Sequence, residues 1–210
     1  MKDNIMQVVK LFIVCVIAAA VLAWVYGFTK EPIEKSKKSE TLDAIKIVVE
    51  GMTEDMSIRD SLIPLENDTA KYESFIVLNA DSSVHGYAVK TQTNLGYGGK
   101  IVIMVGADKN FEITGVQPLE FSETPGLGTK MTRDEFKNQF LGKSLDNFKF
   151  KVQKDGGEIV AITAATITSR AVGDALERGL NTLISNFKTQ SDTIKSDSVA
   201  IDSAITGEAK

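Results

Sequence analysis

The apolar residues of this chain form one long uncharged block near its start and several short runs after it. Residues 11–28 contain no charged residue and, as a helix, would span about 27 Å, close to the hydrocarbon thickness of a bilayer. Trp24 and Tyr26 lie near the end of this block, where their amphipathic rings favour a membrane interface. The block therefore predicts one N-terminal transmembrane helix within residues 1–30.

A cleavable signal peptide is the competing interpretation of this block. Small residues within it form cleavage-like patterns: Ala18, Ala19, Ala20 and Ala23. A retained anchor is favoured because the block is longer than the usual signal core and no clear polar cleavage region follows before Tyr26. The lysines after the block outnumber the cations before it, so the positive-inside rule alone does not place the globular part outside the cytoplasm.

The chain after the anchor is predicted to alternate helices with short strands. A second helix is predicted at residues 39–51, because its apolar residues share one helical face and Gly51 can end it. Strand-like runs follow in two pairs, residues 75–79 with 84–90 and residues 101–105 with 111–120. Each pair is joined by a short polar connection, so both pairs are predicted to be antiparallel hairpins.

The second half of the chain predicts two more helices. Thr132 and Glu135 have the spacing of a capping box, which would open a short helix that buries Phe136 and Phe140. Strand-like runs are then predicted at residues 148–152 and 159–162. Residues 168–188 predict a long final helix whose core face carries Val172, Leu176, Leu180, Ile184 and Phe187.

These elements predict one α+β domain at residues 31–188. Antiparallel hairpins would form its sheet, and helices would pack against that sheet. Residues 189–210 are rich in Ser, Asp, Thr and Lys without an apolar period, so they are predicted to be a disordered tail.

Composition narrows the chemistry that this domain can perform. The net charge of −4 and the absence of a basic run interleaved with aromatics make nucleic-acid binding the least supported class. The only cysteine is Cys15, inside the apolar block, and the only histidine is His85. A disulfide framework, an iron–sulfur cluster, a zinc site or a haem pair would therefore need residues from another protein. Redox chemistry in this chain would use an organic cofactor.

Residues 162–170 carry four hydroxyl groups where a predicted strand meets the last helix: Thr163, Thr166, Thr168 and Ser169. An N-cap at Thr168 or Ser169 would explain those two residues. Thr163 and Thr166 would place further hydroxyls beside the free amides of the first helical turn. The helix dipole there favours a phosphate by about 0.3–1 kcal/mol. From the residues alone, phosphate binding and plain capping are equally supported.

The same segment resembles the flavinylation motif of a family of FMN-binding subunits. The family includes the G subunit of the Rnf complex and the C subunit of the Na+-translocating NADH:quinone reductase. Its pattern is Asp, two residues, Ser or Thr, Gly, Ala and Thr, and the last threonine takes FMN through a phosphoester bond that a dedicated flavin transferase makes. The resemblance implies covalent FMN on Thr166, with the remaining cofactor contacts from Thr163, Ala165, Ile167, Thr168 and Ser169.

Two positions of the segment depart from the family pattern. Val160 stands where the family has Asp, which removes a carboxylate from the sequence that the transferase recognises. Ala164 stands where the family usually has Gly, and its methyl group disfavours left-handed backbone angles.

Two further segments match the family in the same order along the chain. Residues 123–128 read ETPGLG, which the family places against the flavin, although Pro and Gly alone indicate only a turn. The resemblance implies flavin contacts from Glu123, Thr124, Leu127 and Gly128. The second segment is residues 96–100, which resemble the glycine-rich turn of the family. Its functional candidates are Gly96, Tyr97, Gly98, Gly99 and Lys100, and a plain hairpin loop is an equally supported interpretation.

The candidates outside the threonine segment have different chemistry to offer. Tyr97 could pack on an isoalloxazine face, and Lys100 could offset negative charge on a reduced flavin. Lys154 precedes the threonine segment and is a further candidate partner for the phosphate or the flavin.

The resemblance implies an electron-transfer subunit of a membrane-bound, ion-translocating ferredoxin:NAD+ oxidoreductase. Its partners would be the other membrane subunits of an Rnf-type complex. It would be a single-pass protein of the cell (inner) membrane with the FMN domain on the extracytoplasmic, periplasmic side. No signature of a general base, nucleophile or substrate pocket indicates independent catalysis, and no metal site is predicted. The alternatives are the C subunit of the quinone reductase, a stand-alone membrane-tethered flavin reductase, and a binding domain without flavin.

Overall fold

The structure is a computed structural model that describes residues 2–53, 55–64 and 71–188. The chain divides into two units, Met1–Asp43 and Ala44–Lys210. The first unit is helical, and the second contains the sheet and the remaining helices. The tail predicted at residues 189–210 lies outside the described residues.

A single helix, α1 (Lys2–Val48), includes the predicted anchor and nearly all of the helix predicted at residues 39–51. The expectation of two separate helices is therefore wrong. The segment between them is rich in Lys and Glu, which are good helix formers, and the helix continues through Pro32. Residues 9–48 of α1 contain an exposed window with a mean hydropathy of 2.6, and the helix is long and apolar enough to cross a membrane.

Five antiparallel strands form one sheet in which each strand pairs with the next along the chain. Both predicted hairpins are confirmed, and so is the predicted α+β class. The sequence prediction did not include β1, whose register with β2 runs from Ser57 opposite Leu78 to Pro64 opposite Lys71. The strands are β1 (Ser57–Pro64), β2 (Lys71–Leu78), β3 (Val84–Gly96), β4 (Gly99–Asp108) and β5 (Ile113–Phe121).

Two α-helices follow the sheet within the described residues, a short α2 (Asp134–Lys137) and the long α3 (Thr166–Leu183), with short 3-10 turns between them. α3 packs against β3 and β4 and continues into a π-helical turn at Ile184–Lys188. Its predicted core face is confirmed at Val172, Leu176, Leu180 and Phe187, which are buried, whereas Ile184 is half-buried.

Small residues bring α3 close to the sheet. A side chain at Gly179 would contact Val89 and Thr91 of β3. This close packing holds the C-terminal half of α3 against β3.

A second apolar cluster lies at the C-terminal end of α1. Val48 lies close to the backbone of two strands. A Cβ at Gly106 of β4 or at Gly115 of β5 would overlap Val48 backbone atoms, so glycine is needed at both positions. Thr114 donates a hydrogen bond of 2.6 Å from Oγ1 to the Val48 carbonyl oxygen. The cluster consists of Ala44, Ile45, Val48, Val49, Phe75, Val77, Ala88 and Met104.

The capping box predicted for the short helix is wrong. α2 has Arg133 at its N-cap with no side-chain cap, because the Thr132 hydroxyl donates to the Thr129 carbonyl instead. Phe136 and Phe140 are nevertheless buried, as predicted.

The strands predicted at residues 148–152 and 159–162 do not form. They make only an isolated parallel bridge between Val152 and Ile159, with a 3-10 turn between them. The apolar alternation arises from packing, since the rings of Phe148 and Phe150 lie 5.1 Å apart in an aromatic cluster with Phe140.

Candidate functional site

The helix α3 begins at Thr166, and its first turn has no side-chain cap. Ala165 occupies the N-cap position, so the alternative in which Thr168 or Ser169 caps the helix is wrong. The first amides of a helix have no partner within that helix, and the positive end of the helix dipole lies beside them. The start of α3 therefore offers amide donors and the half-buried Thr166 side chain to an anionic group.

The Ser169 hydroxyl holds the segment that leads into α3. It accepts a hydrogen bond of 2.9 Å from the Ile162 amide and donates one of 3.0 Å to the Ala165 carbonyl. Ser169 is fully buried, so both bonds are shielded from water. The Ser169 hydroxyl is engaged by the backbone on both sides of the loop, so Ser169 positions the loop.

Two further contacts hold the same segment from outside. The side-chain oxygen of Gln139 accepts a hydrogen bond of 2.8 Å from the Val160 amide. Arg170 of α3 forms a bidentate pair with Asp155, with distances of 2.6 Å and 2.9 Å. The Arg170 guanidinium holds the pKa of the Asp155 carboxyl below its usual value. The loop before Thr166 is thus fixed at several points.

Ala164, at the tip of this loop, adopts left-handed backbone angles, with φ at 61°. An L-residue with a Cβ is strained in that region by about 1–2 kcal/mol, whereas glycine adopts it freely. The position where the resembled motif usually has glycine is therefore one where the backbone favours glycine.

Replacing Ala164 by glycine is expected to raise the free energy of unfolding by about 0.5–1 kcal/mol, since relief of strain exceeds the entropy that glycine adds to the unfolded chain. Urea denaturation would measure the difference. Ala161→Gly is the matched control, because Ala161 is not among the described residues with positive φ, and it should lower stability. A loss of stability in both variants would contradict the strain at Ala164.

Three segments that are distant in sequence surround one cavity of about 470 Å³ next to Thr166. Tyr97 comes from the turn between β3 and β4, and four residues come from the ETPGLG segment that follows β5. The start of α3 and the loop before it supply the rest. The lining of this Thr166 cavity is Tyr97, Glu123, Thr124, Leu127, Gly128, Ala164, Ala165, Thr166, Ile167 and Thr168.

Glu123 connects these three segments in the cavity wall. One carboxylate oxygen accepts a hydrogen bond of 3.1 Å from the Gly98 amide. The other accepts one of 2.7 Å from the Thr168 hydroxyl. Glu123 is only 6% exposed. A Cβ at Gly96 or Gly128 would overlap this carboxylate, so both glycines are needed to seat it.

Comparison with known proteins identifies the family. The FMN-binding domain model matches residues 96–181, which include all three segments. The G subunit of the ion-translocating oxidoreductase complex of Aliivibrio fischeri is 35% identical over 174 residues, covering 78% of this chain and 82% of the relative. The chain belongs to this G-subunit family. The family member from Methanosarcina acetivorans is 30% identical over 182 residues, covering 86% of this chain and 94% of the relative.

This member of the G-subunit family shares its fold with a solved structure. The C subunit of the Na+-translocating NADH-quinone reductase from Parabacteroides distasonis superimposes with a TM-score of 0.51 at 22% identity. The match covers 75% of this chain and 94% of the other. This likeness extends to the fold alone, and it agrees with the α+β domain predicted from the sequence.

Several candidates lie outside the Thr166 cavity of this G-subunit family member. Thr163 lines a neighbouring cavity of about 450 Å³ together with Lys130, Arg133 and Gln139. Lys100 pairs with Glu120 at 3.4 Å on the exposed surface.

The remaining candidates differ in how they relate to the cavity. Lys154 is exposed in the 3-10 turn before the threonine segment. Gly99, the first residue of β4, has a positive φ and serves the reversal of the chain between β3 and β4. Gly96 and Gly98 lie behind the wall, where they adjoin Glu123.

Sequence reasoning did not find the contacts that hold the site together. Gln139 is distant from Val160 in sequence, and nothing near it indicates that it binds the threonine segment. Ala164 entered only as a departure from the motif, although it lines the cavity. The glycines in the 96–98 turn are the one available signal, because glycine lets the backbone approach another group closely.

Proposed function

We propose that this chain is an electron-transfer flavoprotein subunit of an ion-translocating oxidoreductase complex, and that Thr166 carries its FMN through a phosphoester bond. The observation that carries the proposal is the meeting of three distant segments at one cavity beside Thr166. The family model that matches residues 96–181 is that of an FMN-binding domain, and the curated relatives are named as parts of such a complex.

The residues around the Thr166 cavity fit the two halves of FMN. A volume of about 470 Å³ lies in the range of small-molecule sites. The uncapped first turn of α3 supplies amide donors for a phosphate joined to Thr166. Tyr97, Leu127 and Ile167 keep 69%, 38% and 47% of their surface exposed, which leaves apolar area for a flat ring to cover.

When bound, FMN supplies one-electron and two-electron redox chemistry, and the chain's own part is to hold and orient it. A phosphoester at Thr166 prevents loss of the cofactor between turnovers. The contacts of Ser169 with Ile162 and Ala165 fix the loop that carries this threonine. In this proposal the side chains hold the FMN and neither transfer protons nor act as nucleophiles, and the oxidoreductase reaction is that of the whole complex.

The partners and location follow from the same proposal. α1 anchors the domain to the cell (inner) membrane as a single-pass protein, with residues 1–30 as the anchor and residues 31–188 as the FMN-binding domain. The domain lies on the extracytoplasmic, periplasmic side and exchanges electrons with other membrane subunits of an Rnf-type complex that couples ferredoxin and NAD+ to ion transport. A flavin transferase attaches the FMN during maturation. Membership of the G-subunit family favours this complex over the quinone reductase.

Intact mass of the membrane-extracted chain tests the proposal. The chain is produced with and without a flavin transferase. We expect an increase equal to one FMN minus one water only with the transferase, together with in-gel flavin fluorescence. Fragmentation of the tryptic peptide 155–170, which contains all four hydroxyls of the segment, should place the increase on Thr166. An unmodified chain in the presence of an active transferase would contradict the proposal.

A further inference from the structure

Glu123 is the one carboxylate in the lining of the Thr166 cavity, and its surroundings are unusual for a charged group. The side chain is 6% exposed, and its two hydrogen bonds come from uncharged donors, the Gly98 amide and the Thr168 hydroxyl. In the part of the chain that the structure describes, no Lys or Arg forms an ion pair with it. Among the described residues, the carboxylate is thus held by neutral donors and not by an ion pair.

The surrounding backbone is shaped to accept this carboxylate. A Cβ at Gly96 would lie 2.7 Å from Glu123 Oε1, and a Cβ at Gly128 would overlap Oε2. The carboxylate thus fills the space left by two glycines and joins the β3–β4 turn to the first turn of α3. Removing it would free both segments that border the cavity.

We propose that Glu123 is the positioning residue of the Thr166 cavity and that its negative charge lowers the reduction potential of the flavin. The inference rests on the proposed function and extends it to the tuning of the cofactor. Adding electrons to a flavin beside a buried negative charge costs more than in water, because the low dielectric of the wall weakens screening. A carboxylate held between two neutral donors supplies that charge at a fixed place.

The variant Glu123→Gln separates charge from shape. Glutamine has nearly the same size, its amide oxygen can accept from the Gly98 amide, and its NH2 group can donate to Thr168 Oγ1 once that hydroxyl rotates. Both hydrogen bonds are kept and the charge is lost. The matched control is Glu177→Gln, which removes the same charge from an exposed position of α3 that lies about 16 Å along the helix from Thr166.

The experiment measures the midpoint potential of the flavin in the purified full-length chain by spectroelectrochemistry, after intact mass has shown equal flavin loading. We expect a higher potential in Glu123→Gln than in the wild type and in Glu177→Gln, which should agree with each other. A merely structural role of Glu123 would leave the potential unmoved. Equal potentials in all three chains would overturn the inference.

Two further measurements keep the test decisive. Glu123→Asp keeps the charge but is too short to reach both donors, so its melting temperature should fall while its potential stays at the wild-type value. If Glu123→Gln fails to fold by circular dichroism, a raised potential in Glu123→Asp overturns the role of the charge. A wild-type chain without flavin would overturn the proposed function and the effect of Glu123 on the potential together. Thermal melting of the flavin-free chains would still test whether Glu123 positions the two segments. In that case Glu123→Ala must melt at a lower temperature than Glu177→Ala.

Discussion

Replacing Thr166 by valine is expected to abolish covalent flavin attachment completely. Valine keeps the shape of threonine but has no hydroxyl oxygen to join to a phosphorus atom. In the described part of the chain the Thr166 hydroxyl makes no hydrogen bond that holds the fold, and its side chain is half-buried at the first position of α3. The variant should therefore fold normally while its intact mass lacks the FMN increase, even with an active transferase.

The neighbouring hydroxyls provide matched controls for this result. Thr163→Val removes a hydroxyl from the same loop, but Thr163 lines the other cavity, so the increase should remain. Thr166→Ser keeps an oxygen at the attachment position and should keep some of the increase. If Thr166→Val retained the full increase, or if Thr163→Val alone lost it, the bond would have to be assigned to a different residue.

The second large effect is expected at the contact between α1 and the sheet. A methyl group at Gly106 would overlap the Val48 carbonyl group, and backbone atoms cannot move aside as a flexible side chain can. Overpacking of this kind costs about 1–3 kcal/mol, and the rigid obstacle places Gly106→Ala at the upper end of that range. Urea denaturation of the detergent-solubilised chain should show that the free energy of unfolding falls by this amount relative to the wild type.

Gly27→Ala is the control for that substitution. A Cβ at Gly27 meets no atom within 4 Å, and alanine is the better helix former. It should leave the unfolding midpoint of the domain unchanged. If Gly106→Ala also unfolded at the wild-type urea concentration, the close approach of Val48 to β4 would be disproved.

The elements with strong apolar periods could be predicted from the sequence, and the irregular ones could not. The two hairpins and the core face of α3 follow from continuous apolar runs and helical spacing. Strand β1 carries Arg59 and Asp60 in its centre and lacks such a run, so it shows no strand pattern. The alternation around Phe148 and Phe150 suggested a strand, but there the alternate residues pack in an aromatic cluster without a neighbouring strand.

The candidate site could be predicted in its parts but not in its assembly. Local sequence marks the threonine segment, the ETPGLG segment and the glycine turn, because each has its own composition. Their meeting at Glu123 depends on hydrogen bonds between residues up to 45 positions apart, which no local pattern contains. Charge and sequence position predict Lys100 and Lys154 as candidates, but both side chains are exposed and neither lines the Thr166 cavity.

The contact of Val48 with Gly106 and Gly115 also determines where a soluble fragment of this protein can begin. Buried apolar residues of the sheet lie under the last residues of α1: Phe75, Val77, Ala88 and Met104. A fragment that starts after residue 50 would expose this apolar face to water and would be prone to aggregate. A fragment that removes the membrane span but starts ahead of Ala44 keeps the face covered, so the cut for crystallisation or electrochemistry belongs within α1.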